Sequence, residues 1–140
     1  MLRFVPTAIA LGLSFAQASL AQQEDAVFAS YDAMRAEMDQ AIRERRIEDL
    51  MIRFGGADEM TVEQLRSLDR QVEQLFPDDF ENVALLRREQ HNNGFAQEII
   101  AYWTGTSYLY AYVFYHNTGR DTVSINFRFN TDFTKLNSLF

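Results

Sequence analysis

Between Glu24 and Ile52, apolar residues recur at helical spacing on an otherwise charged stretch: Val27, Tyr31, Met34, Met38, Ala41 and Ile42. A single apolar stripe on a charged helix predicts one face packed on a larger body. The mixed-charge run from Arg43 to Asp49 is expected to bend or end this helix. A second helical piece carries Ile47, Leu50, Met51 and Phe54, and Gly55-Gly56 stops it, as glycine does just past a helix end. Thr61 and Gln64 have the spacing of a capping box, and Leu65, Leu68, Val72 and Leu75 behind them mark a third amphipathic helix that Pro77 closes. Pro77-Asp78-Asp79 reads as a turn.

After Phe80 the period changes from helical to alternating. Four strands are predicted: Asn82 to Gln90, Phe95 to Trp103, Tyr108 to Asn117, and Thr122 to Asn130. Their connections, His91-Asn92-Asn93-Gly94, Thr104-Gly105-Thr106-Ser107 and Asn117 to Asp121, all have the glycine and asparagine chemistry of tight hairpins. No internal repeat or linker interrupts the pattern. The expected architecture is α+β, with N-terminal helices packed on one face of a curved four-stranded antiparallel sheet.

Short even-numbered loops fix the pairing parity, and with it the faces. In that register one face collects Leu86, Phe95, Ile99, Trp103, Tyr108, Tyr110, Tyr112, Phe114, Ile125, Phe127 and Phe129, and the helices are expected to cover it. The other carries Ile100, Tyr102, Val113 and Tyr115, with Arg87 expected opposite Glu98. Left open, those four apolar residues form a patch through which the chain is expected to pair with a second copy.

The order of helices and strands, and the Tyr-rich pair Tyr108 to Phe114 with Val123 to Phe127, resemble the cystatin-like group. The closest style is that of small exported relatives of nuclear transport factor 2 and ketosteroid isomerase. The resemblance covers most of residues 24 to 130 and is one of pattern. It implies that helices and sheet form a cone around a pocket and that the outer sheet face mediates dimers.

The N-terminus adds an address. Arg3, an apolar run from Thr7 to Phe15, and the small residues Ala16 to Ala21 form a secretory signal. The run is shorter than the roughly 20 apolar residues that a membrane-crossing helix needs. Cleavage after Ala18 or Ala21 fits, and Ala21 is favoured, which gives a signal peptide over 1–21 and one α+β domain over 22–140. Removing 1–21 takes away Arg3 and no acid, so the formal charge moves from −7 to −8. Such an acidic chain does not seek phosphate backbones or anionic lipids. With no cysteine, it has neither disulfides nor thiolate metal sites. A periplasmic or secreted location is expected, with no integral membrane segment after signal cleavage and no nucleic-acid partner.

The most informative chemistry is the aromatic row Trp103, Tyr108, Tyr110, Tyr112 and Phe114. Either it packs the core or it lines a pocket for an apolar ligand, with Arg88, Gln97 and His116 as polar rim groups. Two separated histidines, His91 and His116, do not make a metal site, and Asp78, Asp79 and Glu81 lack the periodicity of a calcium loop. No cofactor is expected. The functional expectation is a non-enzymatic exported domain that binds a small apolar ligand or an envelope protein. Two alternatives stay open. One is ketosteroid-isomerase-style lyase, isomerase or hydrolase chemistry, with a tyrosine (Tyr31, Tyr110 or Tyr112) beside Asp32 or His116. The other is a structural envelope protein that docks another chain.

Overall fold

The computed structural model describes residues 26–140. The signal peptide expected over 1–21 and the residues up to 25 lie outside that range. The elements are β1 (Val27–Phe28), α1 (Tyr31–Arg43), α2 (Ile47–Arg53), α3 (Val62–Leu75), β2 (Asn82–Gln90), β3 (Phe95–Thr104), β4 (Ser107–Asn117), β5 (Thr122–Asn130) and α4 (Phe133–Asn137). All strand pairs are antiparallel, and the sheet is open, with five strands in the order β1-β5-β4-β3-β2. No helix among the described residues is long and apolar enough to cross a membrane.

Five strands rather than four arise at the N-terminal side. The hydroxyl of Ser30 accepts from the backbone N–H of Ala33 (3.1 Å), so α1 begins only after it. Val27 therefore leaves the helical stripe, and Val27–Phe28 pairs with Val123 and Thr122 along the edge of β5. The rest of the stripe behaves as its spacing requires, with Met34, Met38, Ala41 and Ile42 buried.

The charged run ends α1 at Arg43, one of the two outcomes expected of it, and forms a junction. Arg45 takes the left-handed conformation (φ 57°), and its guanidinium donates to the carbonyls of Phe76 (3.2 Å) and Pro77 (2.8 Å) while pairing with Asp79 (2.7 Å). The turn after α1 is thereby pinned to the turn after α3. Thr61 and Gln64 form the capping box of α3 reciprocally, at 3.1 and 3.0 Å. Leu75, on the helix's last turn, stays exposed, because Phe76 just beyond it is the side chain that folds inward, 5.0 Å from the Phe80 ring.

Parity along β3 and β4 follows the hairpin loop, but the helices lie on the opposite face from the one expected. They cover Ala96, Ile100, Tyr102, Leu109, Ala111, Val113 and Tyr115, all buried together with Met34, Met38, Ile42 and Leu50. The expected dimer face of Ile100, Tyr102, Val113 and Tyr115 is thus the floor of the main core. Ala96 and Ala111 share that core with Met34 and Met38. Two bulges complete the correction. Leu86 is inserted between Leu85 and Arg87, so Arg88 rather than Arg87 stands opposite Glu98; Ile125 is inserted in β5 between the Phe114 and Tyr115 partners. β2 forms one edge of the sheet, with Val83, Leu85 and Leu86 exposed.

Candidate binding face on the outer side of the sheet

The outer face is built from alternate residues of β3 and β4, paired as Phe95–His116, Gln97–Phe114, Ile99–Tyr112, Ala101–Tyr110 and Trp103–Tyr108. The rings form a ladder. Trp103 and Tyr108 lie 6.3 Å apart, and Tyr108 and Tyr110 lie 6.4 Å apart with their planes only 6° from parallel. At the far end Phe95 and His116 stack at 3.9 Å, and His116 Nε2 sits 2.8 Å from the carbonyl oxygen of Asn93. The stack and this contact use both the ring and one nitrogen of His116, so that from β4 it holds the turn between β2 and β3.

Across the middle of this face runs α4. Asp132 caps it by accepting from the backbone N–H of Thr134 (3.0 Å). Leu136 is buried with Ile99 and Tyr112; Phe133 meets Tyr110 edge-on at 5.7 Å, and Phe140 meets Tyr112 edge-on at 5.8 Å. Arg87 holds the segment from the side, donating to Asn137 Oδ1 (2.6 Å) with its guanidinium 4.0 Å from the Phe140 ring centre. Beneath α4 the Tyr112 hydroxyl donates to Gln97 Oε1 (2.8 Å), and burial pushes that phenol above its ordinary pKa. Outside α4 the face stays partly open at Trp103, Tyr108 and Tyr110, with Tyr108 44% exposed, and also at Phe95 and Phe114.

Of the residues expected to line a pocket, Trp103, Tyr108, Tyr110, Tyr112, Gln97 and His116 therefore share one face, though as an open shelf. Arg88 is on the other side of the sheet. The Leu86 bulge turns it toward the helices, where it joins a polar cluster around Glu98, which is 0% exposed. Tyr31 donates to Glu98 Oε1 (2.7 Å) and accepts from Arg35 (3.0 Å) and Arg88 (2.6 Å). Arg35 also pairs with Asp39 (3.4 Å), whose Oδ1 accepts from the Tyr102 hydroxyl (2.6 Å). Burial first, and the neighbouring carboxylates second, hold the phenols of Tyr31, Tyr102 and Tyr115 above their ordinary range.

The Tyr31–Glu98 pair has the two groups that isomerase-style chemistry needs. Its phenol already donates to its carboxylate, and two arginines take the same oxygen. The arrangement ties α1 to β3 and β2 and leaves Asp32, the base suggested by helix phase, exposed on the far side of α1. The space between helices and sheet is occupied by Met34, Met38, Ile42, Leu50, Ile100 and Leu109, each at most 1% exposed. An outward groove of about 400 Å³ between α1 and α2 is floored by Ala41, Leu50, Ile52 and Phe54. Its charged rim is paired within itself, with Arg53 on Glu37 (2.7 Å) and Arg46 on Asp49 (3.4 Å). Among the described residues no group of three or more His, Asp or Glu side chains is placed to hold a metal ion.

Sequence reading missed α4 and its partners Arg87 and Asn137. The signal was present: Asp132 before Thr134 is a cap, and Phe133, Leu136 and Phe140 fall at i, i+3 and i+7. It also missed Glu98, because a charged residue inside an alternating strand reads as solvent-facing. No family model matches the chain, and no curated protein or solved structure matches it.

Proposed function

We propose that this chain is an exported, non-catalytic binding domain whose working surface is the outer face of the sheet, and that what it binds there is a protein partner. The observation that carries the reading is the open strip of Trp103, Tyr108 and Tyr110 beside α4. Large aligned rings left partly in water have the composition of an interface core. A shelf suits a partner better than a small molecule, since small-molecule sites enclose about 70–90% of the ligand. The same reading takes helices and sheet as the cystatin-like cone. What supports that is the order of the elements, three helices followed by a four-strand antiparallel run, with the interior filled by side chains instead of a ligand. The leader-like sequence of residues 1–21 supports export to the periplasm or beyond.

The test uses anilinonaphthalene sulfonate, an apolar aromatic probe, titrated into the wild-type chain and Tyr108→Ala. Binding is read on the probe and on Trp103, which is the sole tryptophan. One ring contact is worth up to about 1.5 kcal/mol, so the variant is expected to bind about tenfold more weakly while its unfolding midpoint holds. Unchanged affinity in a folded Tyr108→Ala would overturn the reading.

A further inference from the structure

We infer that α4 and the residues just after it are a self-ligand: they occupy in cis the seat that a helix of the partner takes in trans. The inference rests on the outer face being the binding face, and it adds both the chemistry of the partner and a means of control. Phe133 and Leu136 contact Tyr110 and Ile99 from within α4, and Phe140, three residues past its end, contacts Tyr112, a spacing of i, i+3 and i+7 along the chain. That is the anchor spacing by which an amphipathic helix lies in an apolar groove. At five residues, α4 is far below the roughly 12–15 at which a helix holds its own shape in water, so its shape comes from the seat. The polar contact sits at i+4, where Arg87 donates to the Asn137 amide oxygen.

The partner's chemistry follows from these contacts. It is a helical segment with large apolar side chains at i, i+3 and i+7 and a hydrogen-bond acceptor at i+4. A carboxylate at i+4 would meet Arg87 with a charge-assisted bond, stronger than the one the Asn137 amide makes. The resident segment is thus a weakened copy of its competitor. It shields the apolar middle of the face and yields to a better helix.

The experiment uses the full chain and a fluorescent peptide with the sequence of residues 131–140, followed by anisotropy. In the Leu136→Asp chain the resident segment loses its central anchor, and the peptide is expected to bind. To wild type it should bind at least ~10-fold more weakly, because a tethered competitor acts at an effective concentration on the order of millimolar. A second peptide with glutamate in place of Asn137 should bind the Leu136→Asp chain more tightly than the first. Adding Arg87→Ala should abolish that preference. If Leu136→Asp does not fold, Phe140→Ser takes its place; loss of folding in both makes the segment part of the core and overturns the inference. It is also overturned if a folded variant takes no peptide, if variant and wild type bind it equally, or if wild type dimerises by exchanging α4. Any of these leaves the Tyr108→Ala probe result standing, whereas probe binding that ignores Tyr108→Ala removes the face itself.

Discussion

Asp69, in the middle of α3, caps α2: its Oδ1 accepts the backbone N–H of Ile47 at 2.7 Å and that of Glu48 at 2.8 Å. The residue before α2, Arg46, makes no side-chain cap of its own. The exposed donors of a helix start are therefore satisfied by a carboxylate 22 residues further along the chain. Asp69→Ala should lower the stability by about 1–2 kcal/mol, the usual worth of a cap. Asp69→Asn should recover most of it, since the amide oxygen still accepts. Urea unfolding of the three proteins checks the order. Equal stability of Asp69→Ala and wild type would mean that α2 does not depend on α3.

Glu98 is the most consequential charge in the core. Arg35 and Arg88 lie 3.4 and 3.2 Å from it, but Arg35 is well shielded while Arg88 lies at the exposed sheet edge. Removing the carboxylate leaves a shielded guanidinium short of a partner, so Glu98→Ala should cost about 3 kcal/mol or more. Arg88→Ala should cost less, about 1–2 kcal/mol, because Arg35 and Tyr31 stay on the buried carboxylate. Denaturant midpoints for the two variants test this ranking, and a reversed order would disprove it.

Alkaline pH should loosen the fold in a defined way. Burial holds the phenols of Tyr31, Tyr102, Tyr112 and Tyr115 above the ordinary value of 10.0. Below pH 10 they are neutral in both states, and their contribution is fully present. As pH rises past that value the unfolded chain gives up protons that the folded chain keeps, so stability falls until the folded phenols ionise as well. Urea midpoints should decline above about pH 10. Tyr102→Phe should make that decline shallower, and a decline of unchanged steepness would count against the assignment.

Gly94 and Gly105 separate two costs of a side chain at a turn. Both have positive φ, 84° and 59°, but a Cβ at Gly94 would run into the backbone carbonyl of Asn117, whereas at Gly105 it meets open space. Gly105→Ala should cost about 1 kcal/mol, from the left-handed backbone alone. Gly94→Ala should cost clearly more, about 2–3 kcal/mol, and disturb the Phe95–His116 stack. Thermal melts and the His116 ring resonances in NMR report both effects; equal losses at the two positions would show that the contact with Asn117 is relieved at no cost.

The strands were legible because their turn residues and alternation agree: β2 and β5 have the predicted bounds, and β3 and β4 differ by one residue each. Helix starts were legible where the cap sits beside the helix, as at Thr61. The start of α2 at Ile47 was legible from its apolar spacing although its cap, Asp69, lies far along the chain; the start of α1 was not, because a short polar residue, Ser30, interrupts the apolar stripe. The faces failed for another reason. Both sides of β3 and β4 carry rows of apolar residues, each with alanine among them, so alternation alone does not say which row meets the helices. Arg88 and Glu98 illustrate the last limit, since a bulge of one residue at Leu86 exchanged the arginine that reaches the core.

The same bulge governs what β2 does at high concentration. A nine-residue edge strand, paired with β3 on one side only and with Val83, Leu85 and Leu86 in water, is a template on which further strands could add. Leu86 breaks its regular spacing of donors and acceptors at the middle, and Arg87, Arg88 and Glu89 place charge directly after the break. Neither half is long and flat enough to seed growth of the sheet from one molecule to the next. The residue that misaligns the strand is thus also its safeguard against aggregation.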